Sequence, residues 1–133
     1  MGYKISDIEY FEFKSFEEMY SWFLENSKKE KELFVKISRQ KPEKCIDILS
    51  YYDAVKVALC FGWIDSTLRN LNGVLVQRFS PRKKNSHWTE TNIKRCIELD
   101  NKGLMTLEGK RVCPAFNKEF DYISEEINNK LIH

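Results

Sequence analysis

The sequence has few of the residues that mark repetitive, disulfide-bonded or metal-binding proteins. Only five glycines and three prolines are present, which argues against a collagen-like or low-complexity chain. Two histidines and four cysteines, with no CxxC pair, give a zinc site little basis. Separated cysteines fit a reducing compartment better than a disulfide framework. We therefore expect no metal, no cofactor and a cytoplasmic location.

Long apolar runs are also missing. No run approaches the roughly 20 residues that a membrane-spanning helix needs, so the sequence predicts no membrane insertion. The first ten residues, MGYKISDIEY, lack the apolar core of a signal peptide. A formal net charge of +2 predicts neither strong nucleic-acid binding nor strong membrane attraction for the whole molecule.

The residues that are present suit one packed domain, residues 1–133. Of the 133 residues, 42% are hydrophobic and 14% are aromatic, which is enough apolar material for one core. Charge is uneven along the chain: residues 1–32 hold eight acidic and five basic residues, and residues 65–95 hold seven basic and two acidic residues. The second stretch can form a positive patch or an ordinary solvated surface.

Periodic apolar residues and capping signals predict four helices. Ser15 with Glu18 forms a capping box before a helix that runs to about Asn26. The second helix, YYDAVKVALCF, is apolar almost all round and should be the buried helix of the domain. The predicted N-caps are Ser15, Ser50, Thr89 and Asn117. The stretch MTLEGKRVCP, between the last two helices, is predicted to be irregular or to contain a short strand.

Strands are predicted over residues 8–13 and 33–38, and a hairpin at Asn72-Gly73. An Asn-Gly pair between apolar flanks favours a two-residue type I′ turn. The resulting order, β-α-β-α-β-β-α-α, predicts an α+β domain with a small, mostly antiparallel sheet packed by helices.

The hairpin register predicts which side chains share a face. If Leu71 lies opposite Val74, then Thr67 lies opposite Arg78. One face then holds Asp65, Thr67, Arg69 and Arg78, and the core face holds Leu68, Leu75 and Phe79. Asp65 and Arg78 become diagonal neighbours, close enough for a salt bridge.

The segment from Cys60 to Asn92 is the most promising candidate for a ligand site. Its arginines offer planar forks suited to carboxylate or phosphate, its tryptophans offer stacking walls, and the helix start near Thr89 offers oriented N–H groups. The predicted ligand-binding residues are Trp63, Asp65, Arg69, Arg78, Arg82, Ser86, Trp88 and Asn92. Each residue alone has an equally good structural explanation, as an ion pair or as core.

The same segment resembles the YdeI/OmpD-associated family, also called bacteriocin-protection proteins. The similar runs are ALCFGWIDS at residues 58–66, QRFSPRKKNSHWTETN at 77–92 and KGLMTLEG at 102–109. The resemblance covers roughly residues 8–110 and implies links to outer-membrane protein expression and bacteriocin tolerance, but no established reaction. Lys83 and Lys84 stand where the family often has a second arginine. We expect the family's longer C-terminal extension, and any role that depends on it, to be missing.

Three functions compete on these observations. The first is a small-ligand (anionic) binding or regulatory module linked to envelope stress or bacteriocin tolerance. The second is an enzyme with Asp65 as base and Cys60 as nucleophile, although Cys60 falls in an apolar helix where a thiolate is disfavoured. The third is a nucleic-acid-binding module that uses the basic hairpin and residues 82–87, and a protein-interaction role is a further alternative. The sequence identifies no catalytic residue, no specific ligand and no oligomeric state.

Overall fold

A computed structural model of the protein describes residues 2–5, 8–83 and 86–116. Its strands are β1 (Gly2–Ile5), β2 (Ile8–Phe11), β3 (Leu33–Lys36), β4 (Trp63–Leu71) and β5 (Val74–Pro81). Its helices are α1 (Phe16–Asn26), α2 (Tyr51–Cys60), α3 (Glu90–Asn101) and α4 (Leu107–Val112), with a 3-10 turn at Pro42–Lys44. The α+β class is confirmed, and from β2 onward the elements follow the predicted order.

The sheet has the strand order β1-β2-β3-β5-β4. Strands β2 and β3 are parallel because α1 crosses over between them, and the other neighbours are antiparallel. The mostly antiparallel sheet was predicted correctly. Strand β1, which pairs with β2 over four residues, was not predicted.

The capping signals placed the first two helices correctly. Ser15 accepts a hydrogen bond from the Glu18 amide, and the Glu18 carboxylate accepts one from the Lys14 amide at 3.0 Å. Ser50 caps α2 by accepting from the Asp53 amide at 3.1 Å. Six of the ten residues of α2 are buried, as its all-round apolar sequence predicts. Helix α2 is therefore the central helix of the core.

The hairpin turn is confirmed, but its predicted register fails near the base. Asn72 and Gly73 have φ of 54° and 90°, as a type I′ turn requires, and Leu71 lies opposite Val74. Between Asp65 and Leu68 the register shifts, so Ser66 and Thr67 together face Arg78. Trp63 and Leu68 explain this bulge: both contribute to the core, yet an odd spacing would place them on opposite faces of a regular strand.

Helix α4 corrects the prediction of an irregular stretch after α3. Thr106 caps it by accepting from the Gly109 amide, and its amide and hydroxyl both donate to the Cys60 carbonyl, at 3.0 and 2.6 Å. Gly109 lies where α4 meets α2 so closely that a Cβ would be 2.7 Å from the Cys60 carbonyl carbon. The helix predicted from Asn117 lies outside the described residues. Within the described part of the chain, no helix is both long and apolar enough to cross a bilayer.

Candidate functional site

Asp65 lies on the core side of the hairpin, not on the predicted face with Arg78. Because of the bulge, Asp65 is opposite Phe79, which is fully buried, and directly opposed residues point to the same side of a sheet. The Asp65 carboxylate accepts a hydrogen bond from the Tyr51 hydroxyl at 2.7 Å. Burial, and then this bond, raise the pKa of Tyr51 to about 12. The phenol therefore stays protonated at neutral pH and holds Asp65 against α2.

Arg78 is on the other face of the sheet, so the predicted Asp65–Arg78 salt bridge is wrong. The Arg78 guanidinium donates from Nε to the Glu32 carboxylate at 2.6 Å and from Nη1 to the Ser66 hydroxyl at 3.1 Å. Arg69 shares this face, as predicted, because its partner Val76 and Arg78 are two residues apart. The sheet itself thus separates two groups of residues that the sequence placed in one site.

Arg82, directly after β5, contacts residues 86–88, which lead into α3. Its side chain is only 8% exposed, and its guanidinium carbon lies 3.8 Å from the ring centroid of Trp88. One terminal nitrogen donates to the Ser86 hydroxyl and to the His87 carbonyl, each at 3.2 Å. Burial lowers the pKa of Arg82, while the nearby Cys96 and Asp65 oppose that change. Arg82, Ser86 and Trp88 do meet, but their contacts are mainly with one another.

The remaining predicted residues have separate positions. Trp63 is 2% exposed and packs edge-on against Phe23, with ring centroids 4.9 Å apart, so it is a core residue. Asn92 lies in the first turn of α3, where its side-chain oxygen accepts a hydrogen bond from Arg95 at 3.0 Å. Helix α3 packs against α2, and the positive charge of Arg95 opposes the rise in the pKa of Tyr51. Hydrogen bonds therefore join Asp65 to Tyr51 and Asn92 to Arg95, as two separate pairs.

Cys60 is not placed to act as a nucleophile. It is fully buried, and burial raises the pKa of its thiol to about 12. The thiolate is the reactive form of cysteine, so Cys60 is an inert core residue at neutral pH. Among the described residues, no group of three or more His, Cys, Asp or Glu is arranged to hold a metal ion.

A groove beside Arg95 brings together cations that the sequence did not group. The groove has a volume of about 540 Å³ and lies between the 3-10 turn, α2 and α3. Four basic and two acidic side chains line it: Lys41, Lys56, Lys94, Arg95, Glu43 and Glu98. The ring of Tyr52, which is 40% exposed, forms part of the same wall. We call this surface the basic groove.

Sequence reasoning missed the basic groove because its residues are far apart in the chain. Lys41, Lys56 and Arg95 come from three elements that only the tertiary fold brings together. The groove still touches the end of the predicted segment, since Thr91 lines the groove and Asn92 holds the guanidinium of Arg95. The charge asymmetry of residues 65–95 was the one usable signal, because Lys94 and Arg95 belong to that stretch.

Residues 11–112 match a family described as "Domain of unknown function (DUF8412)". The match begins at the end of β2 and ends with α4, so it contains the hairpin and every residue of the basic groove. No curated protein and no solved structure matches the chain significantly.

Proposed function

We propose that this protein, which belongs to the DUF8412 family, binds a small anionic ligand in the basic groove. The observation that carries the proposal is the excess of cations there: four basic side chains against two carboxylates in a concave volume of about 540 Å³. Small-ligand sites are typically clefts of about 300–1,000 Å³ with a few convergent polar groups. The groove is thus of a size to hold a nucleotide-like or other phosphate-bearing molecule.

Arg95 is the best-placed anchor for such an anion. Asn92 accepts from only one of its terminal nitrogens, which orients the guanidinium and leaves other donors of the fork for a ligand. Lys94 pairs with Glu90 at 3.4 Å, but both side chains are exposed, so the pair is weak and an anion can compete for the amine. The exposed Tyr52 ring offers a stacking surface for an aromatic base.

This proposal keeps the predicted class of ligand but changes the residues that bind it. Asn92 remains in the site as the residue that positions Arg95, whereas Asp65, which is bonded to Tyr51, does not line the groove. The resemblance to YdeI/OmpD-associated proteins adds a setting, tolerance of envelope stress or bacteriocins. The separated cysteines add the prediction of a cytoplasmic location. The DUF8412 match assigns no function, so this setting stays a prediction, to be checked by the bacteriocin sensitivity of a strain that lacks the protein.

Thermal unfolding in the presence of pyrophosphate and of adenosine monophosphate tests the binding proposal, with uncharged adenosine as the comparison ligand. A ligand present at 100 times its dissociation constant stabilises the folded state by about 2.7 kcal/mol. We expect both anions to raise the melting temperature and adenosine to leave it nearly unchanged. Absence of any shift with either anion would remove the basis of the proposal.

Three substitutions locate the binding. Lys56→Gln and Arg95→Gln each remove one cation of the basic groove, and we expect each to reduce the anion-induced shift. Lys102→Gln removes an exposed cation at the end of α3 that does not line the groove, so its shift should equal that of the wild type. The ligand-induced shift is compared rather than the melting temperature itself, because Arg95 is half-buried. Equal shifts for all three variants would place the anion elsewhere.

A further inference from the structure

A second cavity, of opposite character, lies where β2 and β3 begin. It has a volume of about 620 Å³ and shares no residue with the basic groove. Three aromatic residues line it, Phe11 and Trp22 on the side of α1 and Phe34 on the side of the sheet that faces Arg78. Three carboxylates, from Glu9, Glu30 and Glu32, also line it. We call it the acidic aromatic cavity.

The aromatic walls are held firmly by the rest of the core. The rings of Phe11 and Trp22 are 5.8 Å apart and tilted by 59°, and Phe11 stacks in parallel on Phe13 at 5.5 Å. Trp22 also packs edge-on against Trp63, yet it remains half-buried, so part of the indole faces the cavity. The negative faces of such fixed rings attract cations within about 6 Å.

The charges of the residues that line the cavity also favour a cationic ligand. None of the described residues that line the cavity is Lys or Arg. Among the ion pairs between described residues, only one involves a carboxylate of the cavity, that of Glu32 with Arg78 at 2.6 Å. Glu9 and Glu30 are exposed at the rim. The C-terminal end of α1 also reaches the cavity through Asn26, and the last turn of α1 contains no basic residue. A helix C-terminus carries a partial negative charge, which favours a cation nearby.

We infer that the acidic aromatic cavity binds a small organic cation of the quaternary or alkyl ammonium class. The aromatic and acidic residues that line one cavity recognise the two properties of such an ion, its apolar methyl groups and its diffuse positive charge. A bare metal ion would leave the aromatic walls without a role, and a neutral hydrocarbon would leave the carboxylates without one. The cavity thus gives the protein a second ligand class, independent of the anion proposed for the basic groove.

Calorimetric titration with choline and with 3,3-dimethylbutan-1-ol tests this inference. The alcohol has the shape of choline with a carbon atom in place of the charged nitrogen, so the difference in affinity isolates the charge. We expect choline to bind at least about fivefold more tightly, the lower range for a cation held by rings and carboxylates. No binding of choline, or equal binding of the alcohol, would overturn the inference.

Exposed carboxylates supply variants that should not disturb folding. Glu9→Gln combined with Glu30→Gln removes two rim charges, and we expect the affinity for choline to fall by about threefold to tenfold. Glu17→Gln, at the other end of α1 and outside the cavity, is the matched control and should bind choline like the wild type. Phe34→Leu, checked for an unchanged melting temperature, should also weaken binding. Unchanged affinity in the double variant and in Phe34→Leu would show that choline binds outside this cavity.

Discussion

Substitution of Gly109 by alanine tests the closest approach between two helices of the domain. A Cβ at this position of α4 would lie 2.7 Å from the carbonyl carbon of Cys60, nearer still to its oxygen, and 3.0 Å from the oxygen of Leu59. These are backbone atoms of α2, so they cannot turn aside as the end of a flexible side chain can. The two helices must separate, which strains both hydrogen bonds from Thr106 to the Cys60 carbonyl.

The expected magnitude follows from two opposing effects. In an unhindered helix, glycine to alanine stabilises by about 1 kcal/mol. Overpacking a close-packed interior typically costs about 1–3 kcal/mol, and more where backbone must move. We expect the steric overlap at Gly109 to outweigh the helix preference of alanine, with a net decrease of about 2 kcal/mol in the free energy of unfolding. At an unfolding entropy of roughly 2.1 cal/mol/K per residue, this loss lowers the melting temperature by about 7 °C for a chain of this length.

Thermal unfolding followed by circular dichroism measures the effect. Ser21→Ala, at an exposed position of α1, is the control for helix preference alone, and we expect its melting temperature to stay at or slightly above that of the wild type. If Gly109→Ala behaves like Ser21→Ala, then α4 does not approach α2 as closely as described and the reasoning fails.

Two further predictions concern the residues around the hairpin. Arg82→Ala removes the stacking on Trp88 and two hydrogen bonds, so we expect the free energy of unfolding, measured in urea, to fall by about 2–4 kcal/mol. For Arg69→Ala, at an exposed position, we expect a fall of less than about 0.5 kcal/mol. Equal losses in the two variants would contradict the structural role of Arg82. The raised pKa of Tyr51 contributes stability that is complete below pH 10 and is lost as pH rises from 10 to about 12. Tyr51→Phe should therefore lose less stability than the wild type between pH 10 and 12, which melting curves at several pH values measure. If the melting temperatures of the two proteins decline in parallel, the Tyr51–Asp65 hydrogen bond does not couple to folding.

Most of the fold could be predicted because its signals are local. A capping residue followed by periodic apolar residues placed the starts of α1, α2 and α3, and the Asn72-Gly73 pair placed the hairpin turn, where both residues have positive φ. Helix α4 was missed because it is short and has glycine in its interior, a residue that the helix needs only for its approach to α2. Strand β1 was missed because the first residues of the chain carry no alternating pattern strong enough to predict a strand.

The candidate site was less predictable because it depends on contacts between distant elements. The alternation rule placed Asp65 and Arg78 together, and one extra residue in β4 was enough to place them on opposite sides of the sheet. The odd spacing of Trp63 and Leu68 was available in the sequence as a warning of that bulge. For the basic groove and the acidic aromatic cavity no such local warning existed, since each draws its residues from several elements.

Because of the bulge at Ser66 and Thr67, β4 can lose one residue there without a change in the pairing at the base or at the tip of the hairpin. Removal of Thr67 would restore a regular ladder with Asp65 still opposite Phe79, so the bond to Tyr51 would survive. Removal of a residue nearer the tip would instead change the turn. In the divergence of DUF8412 sequences, single-residue deletions in this hairpin should therefore be found at the bulge rather than near the tip, because only there do they preserve both the turn and the pairing of the base.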